Sequence, residues 1–369
     1  MYYIIMVLEH LSLLNFKNIA QGELDFSNSL NCFVGPNGSG KTNILDAIHY
    51  LSLTRSAVGV SDLQCVKHEG ENFFIVKGNY ITPQGRAEQI SVSYRRSSGK
   101  KVMRGGKEYD RLMNHIGLIP VVMISPCDTY LISEAADERR RFLNTHLSQT
   151  DAEYMATLSR YNSLLIERNR LLKNPIGFDD VLVILNEQMA DLATVIYHKR
   201  AAFVEQLAPI VAEYYCAISG DTETAGVAYR SALSSESMID ILHRTMERDY
   251  ALGYTSSGVH RDELDLFIGD YPIRRYGSQG QQKSMLIAMR LAQAKMVERT
   301  NAQKVILLLD DIFDKLDSSR VRNLIQLVSS EDFGQIFITD SNKVRLESIV
   351  ECFSSDYKLF TVSQGEIIP

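Results

Sequence analysis

The feature that most constrains the fold of this chain is a glycine-rich segment near its N-terminus. Residues 35–42 fit the P-loop pattern G-x-x-x-x-G-K-[ST]. The apolar run Leu30–Val34 predicts a buried strand before it, and the spacing of Ile44, Leu45, Ile48 and Leu51 predicts a helix after it. Backbone N–H groups of such a loop surround a phosphate, so the segment predicts nucleotide binding. Its residues are Gly35, Pro36, Asn37, Gly38, Ser39, Gly40, Lys41 and Thr42.

Within this loop, two side chains are candidates for the chemistry. Lys41 is expected to place a positive charge on the β- and γ-phosphates of ATP. Thr42 can offer its hydroxyl to Mg²⁺. ATP and Mg²⁺ are therefore the expected cofactors.

A second acidic motif follows an apolar strand far along the chain. Val305–Leu309 precedes Asp310 and Asp311, which is a Walker B pattern. Asp310 is expected to hold Mg²⁺, mostly through water. Asp311 could orient or deprotonate the attacking water. Alone, this segment would be no more than a buried strand with a polar end, but the P-loop makes the catalytic interpretation stronger.

The segment between these two motifs decides the class of ATPase. Gly277–Gln281 reads Gly-Ser-Gln-Gly-Gln and is similar to the signature motif of ABC-type ATPases. Its candidate residues Ser278, Gly280 and Gln281 open a predicted helix, where a hydroxyl and a glycine turn form an anion site. In ABC-type ATPases this site binds the γ-phosphate held by the P-loop of a second subunit, which implies an ATP-dependent head-to-tail homodimer. Asp317 lies in a segment like the ABC D-loop, at the expected dimer interface.

Two positions depart from the ABC pattern. The glutamate that usually follows Walker B is Asp311 here, and no histidine stands near Thr339 and Asp340, where a switch histidine would fall. Both departures predict slow hydrolysis, closer to a timed switch than to a motor.

The middle of the chain has a different pattern from its two ends. The motif Thr150-Asp151-Ala152-Glu153 predicts a capped helix to Lys173, and heptad-spaced apolar residues predict another over 179–218, kinked or shortened by Pro209. The expected fold is therefore α/β, an ABC-type P-loop ATPase domain similar to the heads of structural-maintenance-of-chromosomes (SMC) proteins. Residues 1–125 and 255–369 would form this head, and residues 126–254 would form an inserted α-helical arm.

Taken together, the motifs resemble the RecF family of bacterial recombination-repair ATPases, itself akin to the SMC heads. The resemblance covers nearly the whole chain, and the combination of motifs in this order is more specific than the P-loop alone. Besides the P-loop, signature and Walker B segments, it rests on residues 13–18 (LLNFKN), 43–48 (NILDAI), 139–144 (RRRFLN) and 258–264 (GVHRDEL).

This resemblance implies a protein of recombinational DNA repair and replication restart. It implies an ATP-dependent dimer that binds duplex DNA near single-stranded gaps, has a weak DNA-stimulated ATPase, and helps to load recombinase with RecO- and RecR-type partners. Lys17 and Asn18 would reach the nucleotide, as the matching residues do in the wider head family. Nuclease activity is not expected, because His260-Arg261-Asp262 has no nucleophile or metal-ligand spacing around it.

One stretch of the chain is a candidate for DNA contact. Residues 86–111 hold eight basic and three acidic residues, a net charge of +5 in a protein whose net charge is −6. The candidate contacts are Arg95, Arg96, Lys100, Lys101, Arg104 and Lys107, which suit phosphate contact or, equally, a solvated hairpin. The chain has no tryptophan, and no aromatic run lies among these residues. Duplex backbone contact therefore fits this stretch better than stacking of single strands.

Composition narrows the cellular setting. The five cysteines are scattered and form no CxxC pair, which favours a reducing cytoplasm, and no apolar run approaches the roughly 18 residues of a membrane helix. Two alternatives remain open from the residues alone. One is a small-molecule phosphotransferase, and the other is an ATPase subunit of a transporter, for which a membrane partner would be needed.

Overall fold

A computed structural model of the protein describes residues 6–67, 71–82, 84–133, 136–173, 179–220, 223–330, 333–351 and 356–368. The strands are β1 Val7–Phe16, β2 Ile19–Asp25, β3 Leu30–Val34, β4 Phe73–Ile81, β5 Ala87–Arg95, β6 Gly99–Arg104, β7 Lys107–Glu108, β8 Val121–Ile124, β9 Ala225–Arg230, β10 Glu263–Ile268, β11 Tyr271–Pro272, β12 Ile306–Asp310, β13 Ile336–Asp340, β14 Tyr357–Ser363 and β15 Glu366–Ile368. The helices are α1 Lys41–Leu53, α2 Tyr130–Ser133, α3 Ala136–Thr150, α4 Ala152–Leu172, α5 Asp179–Ser219, α6 Met238–Arg244, α7 Met246–Leu252, α8 Ile273–Tyr276, α9 Gln279–Asn301, α10 Ser318–Ser330 and α11 Lys343–Val350.

The chain divides into two compact units. The first unit comprises Met1–Thr129, Tyr214–Thr222 and Ser278–Pro369, and the second comprises Tyr130–Glu213 and Glu223–Gly277. The predicted return to the head at residue 255 falls inside the second unit, which continues to Gly277.

The first unit contains the sheet that carries both phosphate-site motifs. Its strand order is β15-β14-β3-β13-β12-β8, in which β14, β3, β13, β12 and β8 are parallel and β15 is an antiparallel edge. Every residue of β3, β12 and β13 is buried, as expected for the centre of a parallel sheet. Ligands bind at the carboxyl ends of such strands, so the segments after β3, β12 and β13 define one edge for a site.

A second, antiparallel sheet of the first unit has the order β2-β1-β4-β5-β6-β7. Its inward side chains share one apolar core with helix α1 and the parallel sheet, represented by Leu13, Phe74, Ile48 and Leu308. Edge-to-face aromatic pairs such as Phe16–Phe74, with ring centroids 5.3 Å apart, lie in this core. Helix α1 is buried along most of its length, so this core holds in place the helix that follows the P-loop.

The second unit is built on long helices and a three-stranded sheet of order β11-β10-β9. Helix α4 begins one residue later than the capping-box prediction, because Asp151 rather than Thr150 is the N-cap and its carboxylate accepts the Tyr154 N–H at 2.8 Å. Helix α5 continues through Pro209 to Ser219, so of the two predicted effects of Pro209, a kink or a shortening, the shortening is wrong. Packing along its length outweighs the one backbone hydrogen bond that proline removes.

The His260-Arg261-Asp262 segment lies inside the second unit and packs against its helices. His260 bonds through Nδ1 to the Tyr161 hydroxyl at 2.8 Å and through Nε2 to the Thr255 carbonyl at 3.0 Å. Burial lowers the pKa of His260 to about 4. Both ring nitrogens are engaged within the unit, so this histidine has a packing role.

The predicted strands at Leu30–Val34 and Val305–Leu309 correspond to β3 and β12, and the helices predicted after the P-loop and after Ser278 are α1 and α9. Helix α4 ends at Leu172, one residue before its predicted end at Lys173. Within the described part of the chain, no helix is both long and apolar enough to span a bilayer.

Candidate nucleotide-binding site

The P-loop connects the carboxyl end of β3 to helix α1 in a conformation that needs glycine. Gly40 has φ +117°, and a Cβ there would lie 2.9 Å from the Asn18 side chain. A Cβ at Gly35 would lie 2.1 Å from the Val362 carbonyl oxygen. These two positions therefore cannot carry a side chain without moving the loop.

Lys41 lies at the centre of this loop. Its Nζ donates to the carbonyl oxygens of Gly35 at 2.7 Å and Pro36 at 2.9 Å. Burial lowers the pKa of Lys41, while the negative charges of Asp311, Asp310 and Asp340 oppose that shift. The ammonium group is thus held over the loop without a direct carboxylate partner among the described residues, where a phosphate could replace the carbonyls.

Thr42 and Asp310 join the two motifs. The Thr42 hydroxyl lies 2.9 Å from both carboxylate oxygens of Asp310, and the Thr339 hydroxyl donates to Asp310 Oδ1 at 2.7 Å. Burial raises the pKa of Asp310, although these hydroxyls oppose the shift. The predicted pair of magnesium-site residues is therefore brought together at the ends of β3 and β12.

A third carboxylate at this edge was not singled out by the sequence prediction. Asp340 ends β13, which lies between β3 and β12, and it pairs with Arg345 at 2.7 Å. The neighbouring Asp311 has a left-handed backbone with φ +46°, and its N–H donates to Thr339 Oγ1 at 3.1 Å. Burial, Asp340 and Asp314 raise the pKa of Asp311. The signal for Asp340 was present, since Ile336–Asp340 repeats the apolar-strand-then-aspartate pattern of Walker B.

The residues present fit a nucleotide and its metal ion. The buried Ser39 hydroxyl oxygen has no hydrogen-bond partner among the described residues, although it lies in the middle of the phosphate-binding turn. Thr42 and Asp310 supply the one hydroxyl and one carboxylate that Mg²⁺ uses when phosphates and water complete its shell. Across the described ranges, no group of three or more His, Cys, Asp or Glu could hold a metal ion unaided.

Lys17 and Asn18 lie beside the P-loop. Asn18 Nδ2 donates to the Ser39 carbonyl at 3.2 Å, and its Oδ1 accepts from Asn43 at 2.7 Å. Lys17 pairs with the fully buried Asp46 at 2.6 Å. Both predicted residues line an open cleft of about 820 Å³ at this side of the loop. Asn18 therefore supports the turn directly, and Lys17 is anchored on helix α1.

The signature segment forms the N-terminus of α9. Ser278 and Gln281 make a reciprocal capping box, in which the Ser278 hydroxyl accepts the Gln281 N–H at 3.3 Å and Gln281 Oε1 accepts the Ser278 N–H at 2.8 Å. A Cβ at Gly280 would lie 3.8 Å from the Lys315 carbonyl of the D-loop segment. Asp317 accepts the N–H groups of Ser319 and Arg320 at the start of α10. Ser278 is exposed, so its hydroxyl is accessible from solvent.

The candidate DNA-contacting residues do not form a single patch. Arg95 and Arg96 lie at the β5–β6 turn, whereas Arg104 and Lys107 lie at the other end of β6. Lys100 and Lys101 are adjacent on β6 and therefore face opposite sides of the sheet.

Ion pairs occupy several of these side chains. Lys100 bonds to the Thr54 carbonyl at 2.8 Å and to Asp62 at 3.0 Å. Arg104 and Lys101 pair with Glu88 and Glu108 respectively. The exposed side chains of Arg95, Arg96 and Lys107 make no ion pair with a described residue. DNA contact by this stretch stays a prediction, and these three residues are its best candidates.

Comparison with known proteins identifies the family. A family model described as RecF/RecN/SMC N terminal domain matches residues 7–366. The DNA replication and repair protein RecF of Bacteroides fragilis strain YCH46 is 46% identical over 364 residues, 98% of each chain. The protein of that name from Parabacteroides distasonis is 48% identical over 364 residues, 99% of each chain. The chain belongs to the RecF family.

Solved structures agree with this assignment. The recombination mediator RecF with ATP, from the RecFOR pathway, matches with a TM-score of 0.87 and 28% identity, covering 100% of this chain and 98% of that one. A Pyrococcus furiosus Smc head domain with an extended coiled coil matches with a TM-score of 0.58 and 16% identity, covering 98% of this chain and 96% of that one. The predicted α/β fold of ABC-type, SMC-head-like ATPases is therefore confirmed, as is the predicted family.

Proposed function

We propose that this RecF-family protein is an ATP-dependent DNA-binding clamp of recombinational repair. The observation that carries the proposal is the juxtaposition of Lys41, Thr42 and Asp310 at one sheet edge, in a chain that also exposes a signature serine at a helix N-terminus. Lys41, Thr42 and Asp310 can bind a nucleotide within one chain. Ser278 is placed to contact a nucleotide that is bound to a second copy of the chain.

Each site residue has a distinct role in this proposal. Lys41 exchanges its bonds to the Gly35 and Pro36 carbonyls for the β- and γ-phosphates of ATP. Thr42 and Asp310 hold Mg²⁺, which when bound neutralises charge on the phosphates. Asp311 orients the attacking water and accepts its proton, and its raised pKa suits a base.

Dimerisation follows from the exposed signature. Ser278 and N–H groups at the start of α9 bind the γ-phosphate presented by a second copy. ATP then holds two chains together, and slow hydrolysis releases them. Asp317 lies at the start of the helix that follows the D-loop segment, where the same interface would pass.

The DNA-binding part of the proposal is supported by the family and by charge. The relatives carry the name DNA replication and repair protein, and one solved structure places RecF in the RecFOR pathway. We propose that the dimer binds duplex DNA near single-stranded gaps in the cytoplasm, hydrolyses ATP weakly with DNA stimulation, and helps RecO- and RecR-type partners to load recombinase. Family membership favours this function over a phosphotransferase or a transporter subunit.

Solution mass tests the proposal. Sedimentation of the whole chain should show a monomer without nucleotide and with ADP, and a dimer with ATP and Mg²⁺. Lys41→Ala removes the phosphate cation and Ser278→Arg blocks the signature site, so both should abolish the dimer. The exposed Lys343→Ala and Ser330→Arg serve as matched controls and should dimerise normally.

The opposite result has a clear meaning. A mass that does not respond to nucleotide would leave the signature segment without its proposed role. The P-loop would then have to serve an unstimulated reaction with a small-molecule acceptor.

A further inference from the structure

Two tyrosines of the second unit project into solvent beside two arginines. Tyr271 and Tyr276 are 63% and 67% exposed, and their ring centroids lie 5.4 Å apart with the planes at 60°. Arg274 and Arg275 lie between them in sequence and are also exposed. These four residues, named here the Tyr271–Tyr276 patch, come from strand β11 and helix α8.

The arginines of this patch differ from the others nearby. Arg274 and Arg275 line an open cleft of about 510 Å³, which Arg139 and Arg230 also line. Arg139 pairs with Glu263 at 2.9 Å, and Arg230 pairs with Asp265 at 2.8 Å. Arg274 and Arg275 have no ion pair with any residue that the structure describes, so two positive charges remain uncompensated beside the tyrosine rings.

The backbone under the patch is fixed. Ile273, the residue between Pro272 and the two arginines, is 1% exposed and anchors the turn in the unit. The Gly277 N–H donates to the Ile273 carbonyl at 2.9 Å and closes the short helix. Exposed aromatic rings on an anchored backbone lose little conformational entropy when they bind a flat ligand.

The chemistry of the patch matches an unpaired nucleic-acid strand. Unstacked bases bind aromatic faces and arginine planes, while cationic side chains hold the backbone phosphates. A fully paired duplex would use the two charges but would have no open base for the rings. In the basic β5–β6 hairpin, by contrast, Arg95 lies over the ring of Phe73 from the neighbouring strand β4, and the hairpin presents no pair of exposed rings.

We propose that the Tyr271–Tyr276 patch binds single-stranded nucleic acid, with a base stacked on the tyrosines and a phosphate on Arg274 or Arg275. This inference rests on the proposed function and gives it a physical basis for preferring gaps over continuous duplex. In this arrangement the Tyr271–Tyr276 patch contacts the unpaired strand at a gap, and a separate site, such as the β5–β6 hairpin, contacts the backbone of the duplex.

The test compares two probes on the intact protein. One is a fluorescein-labelled oligothymidylate, and the other is a blunt duplex of equal length, each titrated by anisotropy with and without ATP and Mg²⁺. Tyr271→Ala/Tyr276→Ala should weaken oligothymidylate binding at least about fivefold and leave duplex affinity within about twofold. Tyr276→Phe keeps the ring and should bind like the wild type.

Further variants isolate charge and general effects. Arg274→Ala and Arg275→Ala should each lower the salt dependence of oligothymidylate binding, by up to about 0.7 in logarithmic slope for a lost phosphate contact. Tyr357→Ala, an exposed tyrosine on β14 of the first unit, is the matched control and should change neither probe. Sedimentation with ATP is measured for every variant.

Each outcome decides between explanations. If Tyr271→Ala/Tyr276→Ala binds oligothymidylate as tightly as the wild type, or if the wild type does not bind oligothymidylate, this inference is overturned. The proposed function still stands in either case, provided that the wild type binds duplex and dimerises with ATP. Loss of the dimer in that variant would identify the patch as a contact for a second copy and would also overturn it. Failure of the proposed function is seen separately, as a wild-type chain that neither dimerises with ATP nor binds duplex.

Discussion

Arg200→Met should destabilise the second unit more than any surface substitution of an arginine. Arg200 is almost fully buried on α5 and donates to the Tyr154 hydroxyl, the Val259 carbonyl, Asp262 and Asn144 at 2.7–3.1 Å. Methionine preserves much of the apolar stem but removes the charge and all four bonds. Asp262 would then remain buried without its cation, retaining the Tyr229 hydroxyl as a donor.

The magnitude follows from the uncompensated carboxylate. Removing one partner of a buried ion pair costs about 3–5 kcal/mol. Removing both charges in Arg200→Met/Asp262→Asn should cost less than the sum of the single changes by about 0.5–3 kcal/mol. Burial already raises the pKa of Asp262 with Arg200 present, and Arg200→Met should raise it further. A carboxyl whose folded pKa is raised binds more protons in the folded state, so stability falls as pH rises. The loss in Arg200→Met should therefore be larger at pH 7 than at pH 5.

Amide hydrogen exchange measures this effect locally, which suits a chain with two units. Peptides from α4, α5 and β10 should lose protection in Arg200→Met at pH 7. The exposed Arg244→Met, which breaks a surface pair with Glu236, serves as the matched control and should leave protection unchanged. Strict additivity in the double variant, or an equal loss at both pH values, would refute the argument from an unpaired buried charge.

Two further predictions address the nucleotide site and the outer sheet. Asp311→Asn should keep the ATP-dependent dimer by sedimentation while slowing phosphate release about 100-fold or more, because the base is lost but the phosphate contacts remain; loss of the dimer would contradict this role. His10 lies between Asp25 and Glu23, both 2.7 Å from its ring nitrogens, and although partial burial lowers its pKa, these carboxylates outweigh it and raise the pKa above 6.5. In an NMR titration, His10 should titrate above pH 6.5 and the buried His49 near pH 4. The small stabilisation that protonated His10 gives the fold should be lost as the pH rises through the pKa of His10 in the folded state. A pKa below 6.5 for His10 would contradict this prediction.

The fold was predictable because its signals are local. Largely apolar runs such as Leu30–Val34 and Val305–Leu309 indicate central parallel strands wherever the chain places them. Heptad spacing predicted α5, and the predicted shortening at Pro209 does not occur, since packing along a 41-residue helix outweighs one lost hydrogen bond. The cap of α4 was misplaced by one residue because Thr150 and Asp151 are both good N-caps and only backbone geometry selects between them.

The site was predictable where a motif carries its own chemistry. It was less predictable where a side chain pairs with a residue that is distant in the sequence. The pairing of Thr42 with Asp310 follows from two motifs at the ends of parallel strands. The partners of Lys17 and Lys100, Asp46 and Asp62, could not be read from spacing. The Tyr271–Tyr276 patch escaped sequence analysis because burial of Ile273, not composition, decides which neighbours face solvent.

The absence of a switch histidine changes the electrostatics of the proposed site. Asp340 occupies the strand end beside Asp310 and Asp311, and its partner Arg345 neutralises it. Lys41 and Lys283 then face Asp310 and Asp311 before a nucleotide arrives with its own negative phosphates. Coulomb repulsion in a half-buried site is not removed by solvent screening alone. We therefore expect a nucleotide to bind here together with its divalent cation, and Thr42 and Asp310 are the two groups proposed to receive that ion. The charge arrangement of the β12–β13 edge thus predicts that nucleotide binding depends on Mg²⁺, although no histidine stands at this edge.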